Sequence, residues 1–164
     1  MWLLFLVYNK DICVNYKKGV YIIMEFSYDH KCFVCGENNP VGLKVKFIDN
    51  GNGEIEGIFT PSIFHQGFPG HLHGGLAATI LDETMARAVN TLGVHGLTAR
   101  LEIRYREKIP VEEEVKIIAK VVKYRKTIID LEAEILLSDG QKAVEATGRF
   151  MVIGKMDDPE ISHE

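Results

Sequence analysis

Hydrophobic residues along this 164-residue chain follow two different periods, and the change from one to the other outlines the fold. Apolar and polar side chains alternate at 43–47 and again at 54–60, on either side of a turn rich in Asn and Gly at 49–53. This pattern predicts a β-hairpin. The period of two returns in four later segments, 97–105, 115–124, 127–137 and 144–152, which predicts four more strands.

Strict alternation assigns each residue of the 97–105 strand to one of two faces. One face would carry Leu97, Ala99, Leu101, Ile103 and Tyr105, and the other Thr98, Arg100, Glu102, Arg104 and Arg106. On this pattern Thr98 lies with the charged residues, away from the core.

A helical period separates the hairpin from the later strands. It runs from His73 to Leu92 and is closed by Gly93, a residue typical of helix ends. Apolar residues cover most of the circumference, which is the pattern of a buried helix. The order β-β-α-β-β-β-β therefore predicts an α+β domain in which a mostly antiparallel sheet wraps one long helix.

The overall composition fits one globular domain, which we place at residues 24–155, with a polar tail at 156–164. Apolar residues make up 46% of the chain and charged residues 26%. The net charge of −4 argues against a nucleic-acid-binding protein, because binding to phosphates requires an excess of basic residues. We also expect no membrane association, since the apolar run at 1–8 is much shorter than a membrane span.

The first 23 residues are interpreted as lying outside the domain. They are either a dispensable extension or the result of a mis-called start, in which case translation begins at Met24. Lys17-Lys18-Gly19-Val20 can be encoded by a purine-rich stretch at the usual distance upstream of such a start. Mass spectrometry of the protein from its native host tests this hypothesis, and an intact 1–23 segment would contradict it.

Three cysteines, Cys13, Cys32 and Cys35, give an odd number with one CxxC pair, which favours reduced thiols and a cytoplasmic location. A second pair of cysteines or histidines, which a structural zinc site requires, is missing from the sequence pattern. We therefore expect packing cysteines and no metal.

The helix places one acidic residue, Asp82, among apolar and small neighbours three and four positions away. An unpaired acid in such a place is costly unless it has a function, so Asp82 is the candidate catalytic carboxylate. The alternative is a carboxylate satisfied at an oligomer interface. Glu83 differs, because Arg87 lies four residues on, and we expect these two to form a salt bridge at the solvent edge.

The helix begins with His73-Gly74-Gly75, so its first free N–H groups have no side chain in front of them. Such a position can hold a carbonyl oxygen or the oxyanion formed from it. Gly75 and Asp82 are ~10 Å apart along one helix, whereas the reacting groups must lie within ~3.5 Å. A site that uses both must combine two copies of the chain, so we predict a homodimer.

These residues resemble the hotdog-fold acyl-CoA thioesterases, in the PaaI-like branch of the 4-hydroxybenzoyl-CoA thioesterase superfamily. The matching stretches are Cys32-Phe33-Val34-Cys35-Gly36, Asn39-Pro40-Val41-Gly42-Leu43, His65-Gln66-Gly67-Phe68-Pro69-Gly70 and His73-Gly74-Gly75 through Leu81-Asp82-Glu83. With the later strands, the resemblance covers residues 32–153. It implies that the protein hydrolyses an acyl-CoA thioester. It also implies a homodimer with active sites shared between the subunits, and the pairing of two such dimers into a dimer of dimers.

The resemblance also implies a role for each matching residue. Asp82 corresponds to the carboxylate that acts as general base or nucleophile, and the Gly75 N–H to the group that polarises the carbonyl. His73 corresponds to a residue that positions the loop and the substrate, and Thr98 to a hydroxyl that orients water. The chain departs from some relatives at Gly67, where they carry Asn, and Gln66 is the candidate replacement amide.

Substrate contacts are expected from the loop and from cations that suit the CoA pyrophosphate. The candidates are Gly74, Gln66, His65, Phe68, Arg104, Arg106, Arg125 and Lys126, with Lys108 and Lys123 as further candidate cations. No cofactor is expected, because CoA enters as part of the substrate. Two other functions remain open: a hotdog hydratase or dehydratase of enoyl thioesters, and a non-catalytic acyl-CoA-binding protein.

Overall fold

The structure is a computed structural model that describes residues 31–156 and the backbone of residues 13–17 and 20–24. These ranges contain a 3₁₀ turn at Ile63–His65, one α-helix and eight strands. The helix is α1 (Gly74–Asn90), and the strands are β1 (Cys13–Lys17), β2 (Val20–Met24), β3 (Lys46–Gly51), β4 (Glu54–Phe59), β5 (Val94–Tyr105), β6 (Val115–Arg125), β7 (Ile128–Leu136) and β8 (Lys142–Lys155).

Strands β3 to β8 form one antiparallel sheet in the order β3-β4-β6-β7-β8-β5. The predicted α+β class and the predicted order of elements are therefore confirmed. The two strands that flank the helix in sequence, β4 and β5, lie far apart in the sheet. As a result β5, with 12 residues, is an edge strand.

Helix α1 packs against one face of this sheet and supplies much of the core. Ile80, Leu81, Met85 and Val89 are fully buried, and they meet fully buried side chains of β6, β7 and β8. The approach is closest at Gly148 of β8, where an added Cβ would lie 2.4 Å from the sulfur of Met85. Glycine at this position lets the sheet contact the helix directly.

Strand β5 contains a β-bulge that corrects the predicted alternation. The register with β8 shifts between Thr98 and Arg100, so Ala99 is the extra residue. Thr98 pairs with the buried Phe150 and lies on the helix face, whereas Leu97 is 61% exposed on the other face. The prediction that Thr98 faces away from the core with the charged residues was wrong because strict alternation cannot register a bulge.

The chain ends lie mostly outside the described residues. No strand was predicted before residue 24, whereas β1 and β2 pair there as an antiparallel hairpin. The proposed extension at 1–23 and the start at Met24 stay predictions, and residues 157–164 of the polar tail lie outside the described residues. No helix in the described part of the chain is long and apolar enough to cross a membrane.

Candidate active site

His73 caps the first turn of α1 with both its side chain and its backbone. Its Nδ1 accepts a hydrogen bond from the Gly75 N–H at 2.9 Å, and its carbonyl accepts from Leu76 and Ala77. The Gly75 N–H, predicted to be a free donor, therefore has a partner within the chain. Within residues 31–156, no hydrogen bond from the Gly74 N–H is found, so Gly74 supplies the open donor at this helix start.

The loop before the helix holds His73 in place. The His73 N–H donates to the carbonyl of His65 at 2.9 Å. Gly67 lies against the same residue, since an added Cβ there would come within 3.1 Å of the His73 ring and 3.2 Å of its Cα. A side chain at position 67 would require His73 to shift by a few tenths of an ångström, so glycine here lets the loop pack directly against His73.

A cavity of about 930 Å³ opens in front of the helix start. Buried apolar side chains form part of its wall. The lining residues are Gly67, Phe68, Pro69, His71, Leu72, His73, Gly74, Ala77, Tyr105, Glu107, Lys108, Ile109 and Val144. Phe68, Gly74 and His73 therefore line one cavity, whereas His65 and Gln66 do not line it.

Tyr105 at the end of β5 is a site residue that the sequence analysis did not select. Its hydroxyl donates a hydrogen bond to the Gly74 carbonyl at 2.8 Å, and its ring lines the cavity. The only signal in the sequence was its place at the end of an apolar strand, where a buried role was the simpler interpretation.

Asp82 lies away from this cavity and is tied to β5. The Thr98 hydroxyl donates to Asp82 Oδ1 at 2.7 Å, which places both predicted catalytic side chains together. No ion pair among residues 31–156 involves Asp82. Asp82 follows Gly74 by eight residues, or ~12 Å along the helix, so one chain does not bring the donor and the carboxylate together.

Glu83 forms the predicted salt bridge, with Arg87 Nε 3.0 Å from Glu83 Oε1. The pair does not lie at the solvent edge, because the two side chains are only 11% and 23% exposed. Arg87 also donates to Cys35 Sγ at 2.7 Å and stacks on the ring of Phe47. These contacts join the CxxC loop to α1 and give Glu83 a structural role.

Cys32, Cys35 and Glu83 bring three possible metal-ligand atoms within 4.8 Å of one another. Burial raises the pKa of the Cys35 thiol to about 12, against the opposing effect of the nearby Arg87 charge. Three donors are fewer than a structural zinc site uses, and no fourth is found among residues 31–156. The guanidinium already lies against Cys35 and Glu83, so the geometry favours a hydrogen-bonded cluster in which Arg87 is the cation.

His65 and Gln66 organise the loop. The Ser62 N–H donates to His65 Nδ1 at 3.0 Å, and the Gly70 N–H donates to Gln66 Oε1 at 3.0 Å. The side-chain oxygen of Gln66 is therefore used within its own loop. Its predicted role as the replacement amide has no support from this geometry.

Loop stability should depend on the protonation of His65. Burial lowers the pKa of His65 below its ordinary value of 6.5, because removing water penalises the charged ring. The unfolded chain then binds more protons than the folded chain below about pH 6.5, so the free energy of unfolding falls as the pH drops. Urea unfolding at about pH 7.5 and about pH 5.5 should show this loss, and His65→Gln should reduce it. An equal loss in the variant would contradict the role of His65.

The four predicted CoA-binding cations do not line the cavity of their own subunit. Arg104 and Arg106 lie on the sheet face opposite the helix, where Arg106 pairs with Glu145. Arg125 ends β6 and Lys126 follows in the turn to β7, both exposed. Lys108, a further candidate cation from the sequence, does line the cavity.

Comparison with known proteins agrees with this architecture. Residues 69–144 match the family described as the thioesterase superfamily. The chain is 32% identical over 104 residues to acyl-coenzyme A thioesterase THEM4 of Mus musculus, a match that covers 63% of this chain and 43% of that protein. The chain thus spans less than half of the length of this relative.

Solved structures show the same fold. A crystal structure of a thioesterase superfamily protein superposes with a TM-score of 0.71 at 31% identity, covering 74% of this chain and 60% of the other. A hypothetical thioesterase from Streptococcus pneumoniae TIGR4, crystallised with coenzyme A, superposes with a TM-score of 0.65 at 21% identity, covering 68% and 90%. The described domain therefore has the hotdog fold, as the sequence resemblance predicted, and its residues 69–144 match the thioesterase superfamily. Its place in the PaaI-like branch stays a prediction.

Proposed function

We propose that the protein is an acyl-CoA thioesterase whose active sites are shared between two copies of the chain. The main observation behind this proposal is that α1 carries a hydrogen-bond donor at its start and a carboxylate too far along the helix to act with that donor in one chain. Gly74, whose N–H has no hydrogen bond within residues 31–156, lines a cavity that Asp82 does not line. Asp82 lies eight residues further along α1 and is hydrogen-bonded to Thr98 of β5. Each half of the site needs the other for thioester hydrolysis.

Strand β5 offers the surface on which two copies can combine these halves. It is a long edge strand with unpaired backbone groups, and its Leu97 and Tyr105 side chains are 61% and 53% exposed. Tyr105 contacts Gly74 near one end of the strand, and Thr98 contacts Asp82 near the other. Antiparallel pairing of two β5 strands about a two-fold axis midway between these ends sets Gly74 beside Asp82 of the partner subunit.

The chemistry follows from this arrangement. The Gly74 N–H donates to the thioester carbonyl oxygen, and the positive end of the helix stabilises the charge that develops there. Thr98 of the partner subunit holds Oδ1 of its own Asp82, which leaves Oδ2 to take a proton from water as the water oxygen attacks the carbonyl carbon. The tetrahedral intermediate then breaks its C–S bond, and the departing CoA sulfur takes up the proton. The products are a free acid and CoA.

Related proteins support this substrate class. The mouse relative is named an acyl-coenzyme A thioesterase, and the streptococcal structure contains coenzyme A. Two further structures of the streptococcal protein are of single mutants, one with alanine in place of an aspartate and one with alanine in place of a threonine. The two mutated positions are 16 residues apart, as Asp82 and Thr98 are. The mostly apolar wall of the cavity suits an apolar acyl group.

A panel of acyl-CoA thioesters tests the proposed function. We expect release of free CoA thiol from one or more of them, measured by a thiol-reactive dye, with no hydration of enoyl-CoA. Hydration without thiol release would identify a hydratase. Binding of acyl-CoA without turnover would identify a non-catalytic binding protein, and either outcome would overturn the proposal.

Three finer predictions depend on other experiments. A dimer of dimers is tested by sedimentation of the purified protein. Contacts between CoA and the exposed Arg125 and Lys126 are tested by charge removal at each position. The cytoplasmic location, predicted from reduced cysteines, stays a prediction.

A further inference from the structure

The peptide group that joins Gly74 to Gly75 is hydrogen-bonded on both sides. The Tyr105 hydroxyl donates to its carbonyl oxygen at 2.8 Å, and its N–H donates to His73 Nδ1 at 2.9 Å. These two atoms belong to one planar unit, so the two bonds together fix the orientation of that plane. A donor on the carbonyl side also polarises the amide and strengthens the bond on the N–H side.

Two consecutive glycines need such a restraint. Glycine has more backbone freedom than any other residue, so a helix that starts with Gly74-Gly75 can vary the direction of its first N–H groups. The electrostatic contribution of a donor to catalysis depends on its being aimed before the reaction starts. A peptide held between Tyr105 and His73 limits the rotation of the preceding Gly74 N–H, which adjoins the cavity.

We propose that Tyr105 is a positioning residue that, with His73, clamps the Gly74–Gly75 peptide and keeps the Gly74 N–H directed into the cavity. The functional half of this inference rests on the proposed thioesterase activity. Tyr105 also lies on the edge strand β5, at the surface proposed for dimer pairing. Pairing of two β5 strands would therefore place Tyr105, the residue that orients the donor, at the dimer interface.

The structure argues for an effect on orientation more than on packing. In a single subunit the Tyr105 side chain is 53% exposed, so little of that subunit's own core depends on it. Its ring lies beside Gly74, since an added Cβ there would be 3.4 Å from Tyr105 Cε1. Phenylalanine can keep this contact and remove only the hydroxyl.

Kinetics of Tyr105→Phe provide the first test. We expect kcat to fall about 10-fold, less than the ~10²-fold typical of deleting an oxyanion donor, with KM changed by less than about 2-fold. Tyr124→Phe is the matched control, because Tyr124 is 46% exposed on β6, away from the helix start, and should keep wild-type kcat. An unchanged kcat in Tyr105→Phe, or an equal loss in Tyr124→Phe, would overturn the positioning role.

The amide resonance of Gly75 gives a readout that does not depend on activity. Loss of the Tyr105 hydroxyl should move the Gly75 amide proton upfield in NMR spectra, because its hydrogen bond to His73 weakens. Tyr124→Phe should leave it in place. A Gly75 signal that does not respond to Tyr105→Phe would show that the clamp does not exist, whatever the kinetics show.

Failure of the proposed function has a different signature. A wild-type protein that hydrolyses none of the thioesters, yet shows the Gly75 shift in Tyr105→Phe, would refute the thioesterase and the catalytic half of the inference while supporting the clamp itself. A double variant completes the test, because Tyr105 and His73 hold the same peptide. The fold loss in kcat caused by Tyr105→Phe should be clearly smaller in the His73→Ala variant than in the wild-type protein. Losses that simply add in free energy would contradict the idea that the two residues hold the same peptide.

Discussion

Asp82→Asn should lower kcat for thioester hydrolysis by at least ~10²-fold with the fold intact. The amide keeps the size of the carboxylate and still accepts the hydrogen bond from Thr98, but it cannot take a proton from water. Asp82 forms no ion pair among residues 31–156, so the substitution breaks no salt bridge there. Steady-state kinetics, with circular dichroism to monitor the fold, measure the effect.

Glu83→Gln is the matched control on the neighbouring residue. Glu83 is paired with Arg87 and lies in the cluster with Cys35, so its loss should reduce stability and change kcat by less than about 2-fold. Thr98→Val removes the hydroxyl that orients Asp82 and should cost less kcat than Asp82→Asn. A large loss in Glu83→Gln together with an active Asp82→Asn would mean that the catalytic acid has been assigned to the wrong residue.

Local patterns in the sequence were sufficient to predict the helix and the six strands that follow residue 43, but not the hairpin of β1 and β2. The helix predicted at His73–Leu92 is observed at Gly74–Asn90, because small and apolar residues with a capping residue in front determine a helix locally. The order of strands followed in the same way from alternation and turns. Both are properties of neighbouring residues, which a sequence displays directly.

The errors arose where an outcome depended on contacts between distant segments. A bulge at Ala99 depends on pairing with β8, and it alone places Thr98 on the helix face beside Asp82. The open donor was assigned to Gly75 because the spacing of residues could not reveal that the His73 side chain turns back to accept that N–H.

The candidate site was therefore predictable in its residue types and only partly in its geometry. The sequence paired Asp82 with a helix start and required two chains on grounds of distance, and the structure adds a strand edge on which those chains can meet. Tyr105 was missed because its role depends on the hydroxyl reaching the Gly74 carbonyl across the end of the helix. Such a contact has no signature in sequence spacing.

Two inactive variants should restore activity to each other when their subunits exchange. One parent is Asp82→Asn. The other is Gly74→Pro, which deletes the N–H proposed to polarise the carbonyl. Proline suits this first helical position, and His73 before it already has the extended conformation that a following proline requires, with ψ of 130°. Gly74→Ala is the control, because it adds a side chain at the same place and keeps the N–H.

Mixing these parents should return about a quarter of wild-type activity. Random exchange makes about half of the dimers mixed, and each mixed dimer combines an intact Gly74 from one chain with an intact Asp82 from the other in one of its two sites. The parents alone should each lose at least ~10²-fold in kcat, whereas Gly74→Ala should retain most of its activity. Native mass spectrometry confirms that mixed dimers form. Mixed dimers without recovered hydrolysis would show that Gly74 and Asp82 do not act across the interface, and the pairing of β5 edges would then no longer explain the site.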